Sequence, residues 1–458
     1  MKYVSTRGGV APLLFSEAVM SGLAADGGLF VPEEFPQVSA DFGDGLSYAE
    51  LAFEVMRLYV DLPEDALREI VERSYASFRA EDIVPVRRVG DAYVMELFHG
   101  PTLAFKDIAL QFLGNLFEYM LERDGGHMNI VAATSGDTGS AAIQGVRGKE
   151  RINIFVMHPS GRTSLMQKLQ MTTVLDENVF NLEVEGTFDD CQALLKEVFG
   201  DAEFKQSYKL GAVNSINWAR VLAQVVYYIY ATVKVRKETG CDKVRFSVPT
   251  GNFGDIFAGY VAARMGVPIG KLVLATNDND ILSRFFKTGE YCRGDVVPTI
   301  SPSMDIQVAS NFERYLYFRQ NCDSAVVRDM MERFGSGGAI QVGVESGGAV
   351  DSLIAAESGS TADTLQAIKE CYTAYGYLLD PHSALGWHAG RQYMADNEPL
   401  VCLATAHPAK FGDAIEQALG SNIAHHEILD GLESLPSRCD KIAADVCELK
   451  KYIERKVD

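Results

Sequence analysis

The sequence predicts an α/β protein with parallel sheets covered by helices, preceded by a helix-rich N-terminal region. Three observations lead there. From about residue 86 onward, short apolar runs alternate with helical patterns. Alternation of this kind argues for parallel strands joined through helices. Three of the runs end in small-residue or polar turns, within 129–143, 244–266 and 400–413, each followed by a helical pattern. Residues 1 to about 85 lack the alternation, and their best pattern is the amphipathic stretch LSYAELAFEVMRLYV (46–60) among Asp/Glu-dense segments.

The strands are predicted at 93–97, 129–133, 152–157, 179–184, 244–248, 271–275 and 400–404, with helices after most of them. After residue 106, Ile108, Phe112, Leu116 and Met120 recur at four-residue spacing, with Leu113 and Phe117 on the same face. The Gly-rich run GSGGAIQVGVESGG (335–348) reads as a mobile surface loop. A chain of 458 residues is too long for one ordinary core, so two or three domains are expected.

Composition removes several function classes. The formal charge of −20 would be repelled by a phosphate backbone, which argues against nucleic acid. No apolar run is long enough to span a bilayer, and the start, MKYVSTRGG, lacks a signal-peptide core. The eight cysteines are scattered without a CxxC pair, as expected of free thiols in a reducing cytoplasm. The eight histidines show no metal-ligand spacing, so no metal is expected.

The chemistry centres on Lys106, where an apolar stretch in FHGPTLAFKD (98–107) meets the start of a helix. Semi-apolar surroundings would lower its pKa and free the amine for Schiff-base chemistry. A solvated surface lysine is the alternative. In NIVAATSGDTGSAAI (129–143) and VRFSVPTGNFGDIFAGYVAARMG (244–266), a strand runs through a small-residue turn into a helix. Backbone N–H groups there can hold a carboxylate or phosphate. The second is neither a dinucleotide fingerprint nor a P-loop; a plain tight turn is the other reading of each. Thr405 ends the strand of LVCLATAHPAKFGD (400–413), placed either to meet a ring nitrogen or to cap the next helix.

Six motifs in register give these features one context: GLAADGGLFVPE (22–33), HGPTLAFKD (99–107), ATSGDTGSAA (133–142), NSINWARVLAQ (214–224), PTGNFGD (249–255) and ATAHPAKF (404–411). Over nearly its whole length the chain resembles the threonine synthases, in the longer form of many bacteria and fungi. These are pyridoxal 5'-phosphate (PLP) enzymes of the tryptophan-synthase-β fold type. The resemblance implies two α/β lobes with the cofactor between them. The smaller would span 121–212 and the larger 86–120 plus 213–458, after an N-terminal domain of 1–85.

The resemblance also implies roles. Lys106 would bond the cofactor covalently and, once released, take the Cα proton. Gly251, Asn252, Phe253, Gly254 and Asp255 would hold the PLP phosphate, with Phe253 packing and Asp255 serving as a cap in the simpler reading. Thr405 would meet the pyridine nitrogen. Thr134, Ser135, Gly136, Asp137 and Thr138 would hold the substrate carboxylate, with the Asp137 side chain turned away to cap its helix. The implied substrate is O-phospho-L-homoserine, converted with water to L-threonine and phosphate. Arg162 in HPSGRTS (158–164) is the leading candidate for the departing phosphate, and Ser160, Asn214, Ser215, Asn217 and Arg220 are the others. Arg220 reads equally as a surface ion-pair residue, and Lys168 as solvated. A monomer or homodimer in the cytoplasm is expected. The rivals are a dehydratase or phospho-lyase of the same fold giving 2-oxobutyrate, and a catalytically silent metabolite-binding relative.

Overall fold

Every strand expected from an apolar run is present, and these strands assemble into two separate sheets. The computed structural model describes all residues except Ser135, Arg162, Thr163, Ser346, Gly347 and Asp458. The larger sheet has six strands in the order Ile354–Ser358, Ile269–Thr276, Val244–Pro249, Leu400–Ala404, Ala92–Glu96 and Val86–Val89. Its pairings are parallel apart from the antiparallel edge Val86–Val89. The smaller sheet is all parallel, in the order Asp440–Ala443, Val179–Glu185, Ile152–Pro159, Met128–Ala133 and Leu210–Gly211. The inner strands are buried along almost their whole length, as a sheet covered on both faces requires.

The N-terminal region is helix-rich as expected, with helices Phe15–Ser21, Tyr48–Met56 and Glu64–Tyr75 and one small antiparallel ribbon. Ser47 and Glu50 close a capping box at the start of Tyr48–Met56. Fully buried Arg314 ties this region to the rest. It donates to the Phe30 carbonyl (3.0 Å), to the Ile216 carbonyl (2.5 Å) and to the Asn311 side chain.

Three expectations need correction. The chain does not stay with the larger sheet to its end: Asp440–Ala443 pairs with Val179–Glu185, and helix Val446–Val457 packs there through Leu449, Tyr452 and Ile453. The run 335–348 is not simply a surface loop. Ile340–Gln341 pairs with Glu290–Tyr291, and the Ile340 side chain is buried. The helix Lys106–Arg123 is not amphipathic with one buried face, because it is buried on nearly every side. It lies among Glu64–Tyr75, Asp137–Val146 and Trp218–Thr239, so its polar Gln111 and Asn115 are interior as well.

One helix contact positions the site. Helices Lys106–Arg123 and Asp137–Val146 each begin at a site residue, and they cross at Gly114 and Gly145. A Cβ on Gly114 would run into the Gly145 carbonyl, and one on Gly145 would sit 2.5 Å from the Leu110 carbonyl. Only hydrogen permits this approach of backbone to backbone. Gly114→Ala should therefore destabilise the fold by about 1–3 kcal/mol through overpacking. Thermal unfolding checks this; an unchanged melting temperature would mean that the helices separate freely.

Candidate active site

Four chain segments meet at one cavity, at the carboxyl ends of strands from both sheets, where open α/β sheets place their ligands. Lys106 arrives at the start of its helix, after strand Ala92–Glu96 and a loop. Asp137 and Thr138 follow Met128–Ala133, Gly251 to Asp255 follow Val244–Pro249, and Thr405 follows Leu400–Ala404. Ser215, Arg220, Gln224, Ser303, Met304 and His382 also line it.

Lys106 is buried, not solvated. Burial lowers its pKa. Lys410 and Arg220 add to that, while Asp137 opposes it. Asp137 does not turn away to cap its helix. Its Oδ2 lies 3.5 Å from Lys106 Nζ, and its Oδ1 lies 2.8 Å from Lys410 Nζ and accepts from Gln167 Nε2 at 3.1 Å. The N-cap position is held instead by Gly136, which offers no side-chain cap. Burial by itself would raise the Asp137 carboxyl, but Lys410 and Lys106 overcome it and hold the group well below the usual carboxylate range.

The turn 251–254 has the form of an anion cradle. A Cβ on Gly251 would sit 2.6 Å from the Ser303 carbonyl, so the backbone passes where no side chain fits. Phe253 holds a positive φ of 63°, and its ring packs against Phe286 and Phe312. The N–H groups of Asn252, Phe253 and Gly254 meet no acceptor among the described residues, as at any helix start awaiting a ligand. Asp255 makes no capping bond at the start of its helix. Its Oδ1 accepts from Tyr227 and Tyr228 hydroxyls at 2.5 and 2.8 Å. Burial pushes this carboxyl up to about 6 against the pull of the two tyrosines.

Thr405 is set by its backbone: its N–H donates to Ser383 Oγ (3.0 Å) and its carbonyl accepts from the Phe105 N–H (2.8 Å). Its hydroxyl lines the cavity with no hydrogen-bond partner among the described residues. His382 stands nearby, with Nδ1 2.8 Å from Asp380 and Nε2 accepting from the Ser303 N–H at 3.3 Å. A buried amine, a turn of free N–H groups entered through a glycine that has no room for a Cβ, and a free hydroxyl form a donor set that fits PLP.

Comparison with known proteins agrees. Residues 83–359 match the family model described as pyridoxal-phosphate dependent enzyme, residues 2–75 that of the threonine synthase N terminus, and residues 383–453 that of the threonine synthase C-terminal region. The threonine synthase of Schizosaccharomyces pombe is 47% identical, with 92% of this chain and 90% of that protein covered. That of Methylobacillus glycogenes is 45% identical with 99% of each covered. The chain belongs to the threonine synthase family. A PLP-bound threonine synthase from Brucella melitensis superposes with a TM-score of 0.96 at 43% identity, covering 100% of this chain and 99% of that one. This threonine synthase family member is accordingly a PLP-dependent enzyme.

The structure sorts the remaining expected residues. Thr134 and Gly136 support the turn from behind: Thr134 Oγ1 accepts from the Gly136 and Gly139 N–H groups at 3.1 Å. Ser160 and Asn214 are exposed and do not line the cavity. Asn217 is buried away from it, donating to the Val19 carbonyl. Lys168 pairs with Glu183 at 2.8 Å. Arg220 is a buried wall residue and not a surface ion-pair partner; its Nη1 donates to the Val213 carbonyl at 3.0 Å, with no carboxylate paired to it among the described residues. Ser135 and Arg162 lie outside the described residues. Lys410 and His382 were missed. Lys410 sits inside ATAHPAKF, and its one clue is a lysine just past a buried strand end.

The Asp255 carboxyl carries a pH signature. Its folded value of about 6 lies above the roughly 3.9 of an unfolded chain, so the folded state holds the proton more tightly. The stability this contributes is complete below about pH 4 and is lost as pH rises through 6. Asp255→Asn does not titrate. Its melting temperature relative to wild type should rise between about pH 3.5 and pH 7, reflecting about 2–3 kcal/mol. A pH-independent difference would show that the carboxyl is not perturbed.

Proposed function

We propose that this protein converts O-phospho-L-homoserine and water into L-threonine and phosphate. The observation that carries the reading is Arg220, a buried cation without a carboxylate partner among the described residues, in the same cavity as Lys106. Burial holds the Arg220 guanidinium down to about 10. A cation left in that state calls for an anionic ligand.

Lys106 would anchor the cofactor, the N–H groups of 251–254 would hold its phosphate, and the Thr405 hydroxyl would meet its ring nitrogen. Bound PLP supplies an electron sink that stabilises negative charge at Cα. The Lys106 amine, whose affinity for a proton is lowered by burial, takes the Cα proton once it is free of the cofactor. Asp137, already ionised, then lies 3.5 Å from the ammonium that forms and stabilises it. Loss of the γ-phosphate breaks the Cγ–O bond and requires a second proton to leave Cβ. Water adds its hydroxyl at Cβ, and protons are returned at Cγ and at Cα. Thr138 and Ser215 sit on the wall for the substrate carboxylate. Arg220, with Arg162 assigned by its motif, would grip the leaving phosphate. We also take residues 121–212, with the C-terminal strand and helix, as the smaller lobe. The eight unpaired cysteines support a reducing cytoplasm, and the charge of −20 supports small-molecule partners over nucleic acid.

Incubation of holoenzyme with O-phosphohomoserine tests the reading: threonine and phosphate should appear in equal amounts. Phosphate accompanied by 2-oxobutyrate would overturn it in favour of a lyase.

Thr405→Val keeps the shape and removes the hydroxyl. A loss of about 1–3 kcal/mol in cofactor affinity or rate is expected, the usual cost of one deleted buried partner. Unchanged absorbance and kinetics would remove Thr405 from the cofactor.

Arg220→Lys should fail to restore function, because a point ammonium cannot reproduce a planar fork. O-phosphohomoserine should bind about tenfold more weakly or worse, the scale of one lost charge-assisted bond. Threonine, which has no phosphate, should bind as before. Equal weakening of both would give Arg220 a structural role.

A further inference from the structure

We infer a second binding site, for a small organic anion, on the far side of the wall that carries Lys106 and Thr405. The wall is two short segments bonded together. The Phe105 N–H donates to the Thr405 carbonyl at 2.8 Å, and the His407 N–H donates to the Leu103 carbonyl at 3.0 Å. One side, with Phe105, Lys106, Thr405 and Ala406, faces the active site. The other, with Leu103, His407 and Pro408, faces an open cleft of about 530 Å³.

The cleft holds donors that no described residue uses. The Arg79 guanidinium has no ion pair or hydrogen bond among the described residues. His407 and His426 lie with ring centroids 4.8 Å apart. Each accepts a backbone N–H at Nδ1, from Ala409 and Ile428 respectively, both at 3.2 Å. In the neutral ring the proton is therefore on Nε2. Neither Nε2 has an acceptor among the described residues. The carboxylate in the cleft, Glu96, is already engaged by Arg87 (2.9 Å), His99 (2.8 Å) and Tyr377 (3.0 Å). An arginine and two imidazole N–H groups around one space complement a carboxylate or phosphate head. Phe98, Leu103, Leu378 and Ile423 line the same space, so the ligand carries an apolar body as well.

Protonation should be linked to occupancy. Burial and the neighbouring His426 and His99 lower His407 to about 4, against Asp380 and Glu96. Burial, Arg79 and His99 lower His426, against Glu427 and Asp430. His425, also in the cleft, lies 3.7 Å from Asp430. A bound anion would offset the repulsion among these cationic groups, so binding should raise both imidazoles and tighten as pH falls.

The proposal does not rest on the reaction proposed above, and its test needs no turnover. Holoenzyme labelled at histidine Cε1 is titrated with phenyl phosphate and, separately, hexanoate, with inorganic phosphate as the probe lacking an apolar body. The His407 and His426 signals should move with at least one organic probe and titrate at higher pH in its presence. Which probe acts tells a phosphate head from a carboxylate head. The variant Arg79→Gln/His426→Asn keeps an acceptor for the Ile428 N–H but removes the guanidinium charge and one imidazole Nε2–H. It should retain the cofactor spectrum and melting temperature and bind the probe about tenfold more weakly or worse. Three results would overturn the proposal: signals that stay still through the millimolar range, a variant that binds as wild type does, or inorganic phosphate binding as tightly as the organic probes.

Discussion

The buried contact of Asp137 with two lysines is the constraint on which the site depends. Three charged side chains are removed from water within one small volume, and each alone would be costly there. Together they are tolerable because Asp137 lies between the ammonium groups, 2.8 Å from Lys410 and 3.5 Å from Lys106. Lys410 also donates to the Thr102 carbonyl at 2.7 Å, so it is held in the loop that leads to Lys106. The cluster leaves a net positive charge, increased by Arg220. An interior built in this way is stable only at a cost, and anionic ligands would offset that cost. Burial lowers the affinity of Lys106 for a proton, with Lys410 and Arg220 adding to the effect and Asp137 opposing it.

The scaffold converts that electrostatic arrangement into a fixed geometry. Lys106 and Asp137 each start a helix, and the glycine crossing at Gly114 and Gly145 sets the distance between those helices. The parallel sheets bring the other parts to the same end. Asn311 holds the 251–254 turn from outside: its N–H and Nδ2 donate to the Asn252 carbonyl at 3.0 and 3.1 Å. Arg314 then bonds Asn311 and the Phe30 carbonyl, so the N-terminal region reaches within one residue of that turn's support. This gives the N-terminal region a structural part in the site while none of its own side chains lines the cavity.

Much of this was legible in sequence, for physical reasons. Buried parallel strands must be continuous apolar runs, and those at 129–133, 244–248 and 400–404 stood out accordingly. The edge strand Val86–Val89 was not seen, because its exposed Arg87 and Arg88 leave no apolar pattern. The terminal strand Asp440–Ala443 was missed for the same reason, with one buried residue in four. Within the site, Lys106, the 251–254 turn and Thr405 were found through local context: a residue type at a strand-to-helix junction. Partners made by tertiary contact were not. Nothing local shows that Lys410 meets Asp137, since the two are 273 positions apart by number. Asp137 was misdirected for that reason, because capping is the usual use of an aspartate in a helix's first turn. Asp255 was misjudged similarly, because the tyrosines that hold it belong to the helix Trp218–Thr239.

A double-mutant cycle between Asp137→Asn and Lys410→Met, followed by unfolding of the PLP-free protein, tests the central claim most directly. Lys410→Met alone should cost about 3–5 kcal/mol, the usual penalty for stripping one partner from a buried pair. The double variant should cost clearly less than the two single changes added together, because the second change removes the charge that the first left unbalanced. Single-variant losses that add to within about 0.5 kcal/mol would contradict the account, since the two groups would then act independently.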